Sequence, residues 1–244
     1  MSPIFYLIIV LTTLTILIFI SKIVFSSRTD ESIYLGTALV GNTGNLGIPL
    51  GIALFGVESV PYTSIINIAN VFFMYTISVY FFAREQFSLK QAIISIFKIP
   101  AIWFASFALF LNYYQIPINK HILTALDMGA YTSLTIQLFI FGVYLYSVRI
   151  KAIPWKLSLH ISFVKHIILP LIGIFVIIWF TNFNSFVASI LIMELMVPLA
   201  VNNVNFAVLY NCKPFDVAST ILVSSLIFVA ILYFYIQIIE YFIR

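Results

Sequence analysis

Long apolar segments constrain the fold of this chain more than any other feature of its sequence. Stretches of roughly 20 apolar residues with few charges follow one another, each about as long as a helix that crosses a lipid bilayer. They cover residues 3–25, 34–56, 60–83, 99–117, 122–148, 161–181, 185–209 and 217–242. Hydrophobic residues make up 63% of the chain and charged residues 8%, which leaves too little polar surface to cover a soluble globule. We therefore expect an all-α polytopic membrane protein with about eight transmembrane helices.

Lysine and arginine predict the orientation of these helices, because short loops rich in these residues stay in the cytoplasm. The loops after the first, third, fifth and seventh segments hold most of them: Lys22 and Arg28, then Arg84, Lys90 and Lys98, then Arg149, Lys151 and Lys156, then Lys213. The loops on the opposite side hold almost none. Both termini should therefore be extracytoplasmic, in a multi-pass protein of the cell membrane. These loops account for the net charge of +4, so no nucleic-acid partner is expected.

Two of the apolar segments carry a proline together with clustered asparagines. The second segment contains Asn-Thr-Gly-Asn-Leu-Gly-Ile-Pro at residues 42–49, and the seventh contains Pro-Leu-Ala-Val-Asn-Asn at 198–203. A proline in a lipid-buried helix removes a backbone hydrogen bond, so each break must be covered by protein or line a polar cavity. The two segments run in opposite directions through the membrane. This arrangement is typical of the inverted repeats of secondary transporters.

The same two segments supply the predicted substrate-binding residues. A half-helix that begins at a break presents free N–H groups and a partial positive charge, which favour a carboxylate. Prolines would force the breaks, glycines would allow close backbone approach, and asparagines would hydrogen-bond the ligand. The predicted residues are Asn42, Gly44, Asn45, Gly47, Pro49, Pro198, Asn202 and Asn203, joined by Asn67 and Asn70 on one face of the third segment. The alternative for Asn67 and Asn70 is an interhelical hydrogen bond.

Glu194 is the only acidic residue deep inside an apolar segment. Burying its charge in hydrocarbon costs at least about 2.5 kcal/mol, so it is a candidate to take up a coupling proton or to bind a coupling sodium ion. The alternative is a protonated acid that bonds a neighbouring helix. Lys165 and His166 lie near the start of the sixth segment, and we expect their side chains to extend to the lipid headgroups.

Patterns that would indicate an enzyme or a cofactor are missing from the sequence. The three histidines lack the spacing of a zinc protease, and Cys212, the single cysteine, has no partner for a Cys-type metal cluster. Neither a Gly-x-Ser-x-Gly elbow nor a Walker-type phosphate loop occurs. We expect no enzymatic activity, no cofactor and no metal, and energy supplied by gradients.

Two sequence blocks resemble the auxin efflux carrier family. Residues 41–49 followed by Ala-Leu-Phe-Gly at 53–56 resemble its fourth-helix signature, and Met-Val-Pro-Leu-Ala-Val-Asn-Asn at 196–203 resembles its ninth helix. Weaker similarity extends over 62–82, 129–145 and 165–173, so that essentially the whole chain is covered. The resemblance implies a fold similar to bile-acid symporters, with ten helices in two inverted repeats and transport of small organic acids. By this comparison the first two helices are missing, so a truncated paralogue and a start upstream of Met1 are both open.

The resemblance also implies a division of the chain. Residues 1–83 would form a truncated first repeat, 84–98 a basic cytoplasmic loop, 99–148 scaffold-like helices and 149–244 the remaining helices of the transport unit. The predicted function is secondary transport of small carboxylates by alternating access where the two broken helices cross. The alternative is a non-transporting membrane remnant or an interaction subunit. The expected partners are a small carboxylate, the lipid bilayer, a coupling proton or sodium ion, and a second copy of the chain in a homodimer.

Overall fold

Helices form nearly all of the part of the chain that the structure describes. The computed structural model describes residues 2–84, 97, 100–148 and 150–243, and within these ranges there is no strand beyond one isolated bridge. The predicted basic loop at 84–98 lies almost wholly outside the described residues. The main helices in chain order are α1 (Ser2–Val24), α2 (Arg28–Thr37), α3 (Thr43–Phe55), α4 (Val57–Ala83), α5 (Pro100–Tyr113), α6 (Lys120–Ser147), α7 (Trp155–Phe180), α8 (Ser185–Met196), α9 (Asn202–Leu209) and α10 (Pro214–Ile243).

Four of these helices, α1, α4, α7 and α10, are long and apolar enough to cross a membrane by themselves. The second and seventh predicted segments are each divided into two shorter helices, α2 with α3 and α8 with α9. The fourth and fifth predicted segments correspond to α5 and α6. The prediction of an all-α polytopic membrane protein is confirmed.

The first helix of each divided segment begins with a side-chain cap. Ser27 Oγ accepts a hydrogen bond from Asp30 N at 3.3 Å at the start of α2. Asn184 Oδ1 accepts one from Val187 N at 2.9 Å at the start of α8. Each cap satisfies one of the N–H groups that the first turn of a helix leaves without a partner. Local sequence therefore determines where both divided segments begin.

The breaks themselves differ from the prediction in one respect. The seventh segment breaks at Val197–Val201, which includes Pro198, as expected. The second segment breaks at Ala38–Asn42, well before Pro49, which lies inside α3. The first turn of α3 is a wide π-turn, in which Gly47 N bonds to Asn42 O at 3.0 Å, and Pro49 follows near the start of the regular helix. Pro49 is the second residue of the regular α-helix Ile48–Phe55 and lies seven residues after Asn42, so Pro49 does not force the break.

The two breaks cross and pair with each other. Asn42 N donates to Pro198 O at 2.8 Å, and Ala200 N donates to Val40 O at 2.9 Å. Gly41 lies opposite Leu199 in this antiparallel bridge. The paired hydrogen bonds satisfy backbone groups that the helix breaks would otherwise leave exposed in an apolar interior. The two divided segments therefore meet at their breaks, and the chain runs in opposite directions there.

Three of the predicted basic loops come together at one end of the helices, around the α1–α2 connection. The contacts are Lys156 Nζ to Val24 O at 2.7 Å, Arg84 Nη2 to Glu31 Oε2 at 3.0 Å and Lys213 Nζ to Asp30 Oδ1 at 2.7 Å. The hydrogen bond to Asp30 raises the pKa of Lys213. These loops therefore lie on the same face, as their charge pattern predicted.

The helices α5 and α6 are packed less closely than the rest. Most of their described side chains are exposed, including Phe104, Phe107 and Leu126, and α6 contacts α10. In contrast, the buried hydrophobic cluster is built from the helices that precede α5 and follow α6. The pair α5–α6 thus lies at the edge of the packed core.

The position of Pro49 leads to a testable prediction. Because hydrogen bonds to the other break define the first break, Pro49→Ala should change the free energy of unfolding by no more than about 1 kcal/mol. Thermal unfolding of the purified protein in detergent, followed by intrinsic fluorescence, measures the change. A loss of several kcal/mol, or a loss of helix content by circular dichroism, would show that Pro49 holds the break after all.

Candidate functional site

A small polar cavity lies where the two breaks cross. Its volume is about 190 Å³, below the roughly 300–1,000 Å³ of pockets that hold drug-sized ligands. The described lining comes from the first break and α3, from α4, and from the second break with the start of α9. The lining residues are Gly41, Asn42, Thr43, Gly44, Asn45, Asn67, Asn70, Val71, Met74, Ala200, Val201 and Asn202. None of these residues carries a charge.

Asn70 on α4 binds the backbone of the first break. Its Nδ2 donates to Gly41 O at 2.9 Å and to Thr43 Oγ1 at 2.9 Å. Its Oδ1 accepts a hydrogen bond from Tyr6 Oη on α1 at 3.0 Å. The side chain therefore has partners on two other elements, and it satisfies a carbonyl that the helix break has freed.

Asn67, one turn before Asn70, continues this network. Its Oδ1 accepts a hydrogen bond from Thr43 Oγ1 at 2.8 Å, and the amide lies close to Gly44. Both asparagines line the cavity, and both make hydrogen bonds to other helices. In this structure the two roles coincide, because the break that the asparagines hold is also a wall of the cavity.

The remaining predicted amides fall into two groups. Asn42, Asn45 and Asn202 line the cavity, at the N-terminal ends of α3 and α9. Asn203 does not, and its fully buried amide has no hydrogen-bond partner among the described residues. Pro198 also lies outside the lining, but its carbonyl accepts the Asn42 N–H.

Side chains from neighbouring helices lie against two glycines of the first block, Gly41 and Gly47. A Cβ at Gly41 would lie 2.8 Å from Lys165 Nζ, and a Cβ at Gly47 would overlap the carboxyl group of Glu194. Real Cβ atoms essentially never approach other heavy atoms this closely. A side chain at either position would displace one of two ionisable side chains of neighbouring helices, Lys165 at Gly41 and Glu194 at Gly47.

Lys165 is buried, which corrects the expectation that it extends to the headgroups. It is 0% exposed, and its Nζ donates to Leu195 O at 3.0 Å in the last turn of α8. The helix α7 begins at Trp155, so Lys165 lies almost three turns inside it, within the π-turn Val164–Ile168. Such turns frequently occur at functional sites.

His166 is buried as well, against α10. Its Nε2 lies 2.9 Å from Ser224 Oγ, and its Nδ1 lies 3.1 Å from Tyr235 Oη. Ser224 Oγ in turn accepts a hydrogen bond from Leu199 N at 3.4 Å, in the second break. Through Ser224, the histidine is therefore connected to the backbone of the second break. A Lys-His pair inside an apolar segment was a sequence signal for a buried polar site, because charges within membrane helices are rarely incidental.

Glu194 lies in the last turn of α8 and is 0% exposed. Neither carboxylate oxygen has a hydrogen-bond partner in the described part of the chain. Its charge interacts with Lys165 on α7 and with Tyr6 on α1. An ionisable group without direct partners in such a place is costly to bury, so it marks a position where a proton or a cation could bind. No group of three metal-ligating side chains occurs among the described residues.

The contact between Gly47 and Glu194 predicts the effect of adding a methyl group. Gly47→Ala should lower the free energy of unfolding by about 1–3 kcal/mol, because the new Cβ displaces a buried carboxyl group from a packed interior. Gly129→Ala on α6 is the matched control, since nothing lies within 4 Å of its Cβ position. That control should be neutral or stabilising by up to about 1 kcal/mol. Equal melting midpoints for the two variants would contradict the crowding at Gly47.

Comparison with known protein families agrees with this arrangement. The family model described as "Membrane transport protein" matches residues 1–92 and 84–236, which together cover most of the chain. No individual curated protein matches it. This family indicates a membrane transporter rather than an enzyme. The chain therefore belongs to the membrane transport protein family, which is the auxin efflux carrier family that its two motifs predicted.

Proposed function

We propose that this chain is a secondary carrier that moves small organic anions bearing a carboxylate group across the cell membrane. The observation that carries the proposal is the paired crossing of two broken helices beside a polar cavity of about 190 Å³. Broken helices that meet within a membrane bundle are the usual way in which secondary transporters build a substrate site. The volume suits a small solute.

The chemistry of the cavity suits an anion. The first turn of α3, including Thr43, Gly44 and Asn45, and the first residue of α9, Asn202, border the same space. N-terminal turns present N–H groups without intrahelical partners and carry a partial positive charge. Asparagine amides add donors and bring no negative charge that would repel a carboxylate. This combination binds a carboxylate group without a permanent charge in the lining.

We also propose how the chain alternates access. Residues 1–83 and 149–244, which contain the crossing, would move together, and residues 99–148 would act as the scaffold. The exposed apolar side chains of α5 and α6 supply a surface for lipid or for a second copy of the chain. Both termini would lie outside the cytoplasm, with the clustered basic loops inside.

Glu194 is the proposed coupling residue, with a proton or a sodium ion as the coupled species. The groups that face it are Lys165 from α7, Tyr6 from α1 and the backbone at Gly47 of α3. Binding of a proton or a cation there would change the charge beside the cavity, which gives coupling to an anion a physical basis.

Ligand binding tests the proposed site directly. Malonate, malate and lactate should be screened for thermal stabilisation of the purified protein, since binding to the folded form raises its apparent stability. Asn45→Ala and Asn202→Ala should each weaken the binding of a stabilising acid by about 10-fold or more, the effect of losing a hydrogen bond to a charged group. Asn205→Ala is the control, because Asn205 is exposed on α9 and does not line the cavity. Stabilisation that all three variants retain would place the site elsewhere.

Coupling is tested by transport into proteoliposomes. Uptake of a stabilising acid by the unmodified protein should depend on an imposed pH gradient or on sodium, and Glu194→Gln should remove that dependence while keeping the shape of the side chain. Replacing sodium by choline separates the two coupled species. If Glu194→Gln shows the same pH and sodium dependence as the unmodified protein, Glu194 has no role in coupling.

A further inference from the structure

Two buried side chains that ionise with opposite charge lie against the first broken segment. Lys165 presses against Gly41, at the break, and Glu194 presses against Gly47, one and a half turns further along α3. Both side chains are fully buried. Because glycine has no side chain, Gly41 and Gly47 leave space for these two side chains.

The two side chains form no direct ion pair with each other. The Lys165 ammonium donates to Leu195 O, next in sequence to Glu194, whereas the Glu194 oxygens have no hydrogen-bond partner among the described residues. Their charges nevertheless interact. Because charges act over longer distances in an interior of low dielectric constant than in water, each can offset the desolvation of the other.

Lys165 also lies directly against the wall of the cavity that Gly41 forms. Gly41 lines the cavity, and the ammonium lies directly behind it. None of the described lining residues is charged. An anion in the cavity would therefore interact with the charge of Lys165 across the backbone of Gly41. Other ionisable groups that face the pair are Tyr6, from α1, and His166, which neighbours Lys165 on α7.

We propose that Lys165 is the internal counter-ion of Glu194, and that protonation of Glu194 frees the Lys165 charge to attract the anionic substrate. This inference rests on the proposed function for its substrate class and assigns a role to a residue outside the cavity lining. With Glu194 ionised, the pair is balanced and the cavity binds an anion weakly. With Glu194 protonated, the crossing carries one net positive charge and the anion binds more tightly.

The proposal makes proton and anion binding mutually dependent. If protonation raises the affinity for the anion by a given factor, the anion raises the affinity for the proton by the same factor. The affinity for a carboxylate that itself stays ionised should therefore rise as the pH falls through the titration of Glu194. Proton and anion would then cross the membrane together.

A stability cycle tests the pairing without any substrate. Lys165→Met should lower the melting midpoint strongly in the unmodified background, because it leaves Glu194 without a counter-ion, and much less in the Glu194→Gln background. Lys156→Met, on the exposed first turn of α7, is the matched lysine control and should have the same effect in both backgrounds. Equal effects of Lys165→Met in the two backgrounds overturn the pairing. If Lys165→Met alone does not fold, recovery of the double variant supports the pairing, and failure of both overturns it.

Anion affinity as a function of pH tests the switch, with malonate, malate and lactate as probes and binding measured by thermal stabilisation. The unmodified protein should bind a stabilising probe about 10-fold more tightly at low than at high pH. Glu194→Gln should bind tightly with little pH dependence, Lys165→Met should bind more weakly than the unmodified protein at each pH, and Lys165→Arg should keep both the affinity and the pH dependence. Unchanged affinity and pH dependence in Lys165→Met overturn the switch. If no probe stabilises the unmodified protein, the proposed function fails, while the stability cycle still decides the pairing.

Discussion

Satisfying the backbone at two interrupted helices is the constraint on which the rest of this structure depends. In an apolar surrounding, an unpaired N–H or C=O group costs several kcal/mol, so a helix can break only where other groups replace its lost hydrogen bonds. Here each break supplies partners for the other, through Asn42 to Pro198 and Ala200 to Val40. Asn70 and Lys165 cap the carbonyls of Gly41 and Leu195. The breaks therefore stabilise each other, and neither would be tolerated alone.

The cavity is a consequence of this pairing. Where the two broken helices restart beside each other, residues of their first turns line a shared space. The glycines of the first block have a second role, because they make room for Lys165 and Glu194 beside the crossing. The cavity lining and the two buried ionisable side chains thus meet at one short segment, Gly41–Gly47. Movement of this segment would affect both at once.

Much of this arrangement could be predicted from residues alone. The spacing of Asn67 and Asn70 predicted that they share one face of a helix, and Pro198 predicted the position of the second break. Both predictions depend on local helix geometry. The first break was expected at Pro49 but lies at Ala38–Asn42, because hydrogen bonds to the second break define it. Lys165 and His166 were expected to extend to the headgroups, because the helix was taken to begin at 161. It begins at Trp155, which carries them into the bundle.

The sequence by itself determined the class of the protein, the number and order of its apolar segments and the two places where polar residues interrupt them. These properties depend on hydropathy, charge and proline content, which are carried by consecutive residues within one segment. Only the tertiary structure decided that the two breaks pair, that Lys165 and Glu194 lie beside the same glycine block, and that the predicted amides divide between cavity and core. Such facts depend on which faces of distant helices meet. That choice is made by packing and by the need to satisfy buried polar groups, and neither can be read along a single segment.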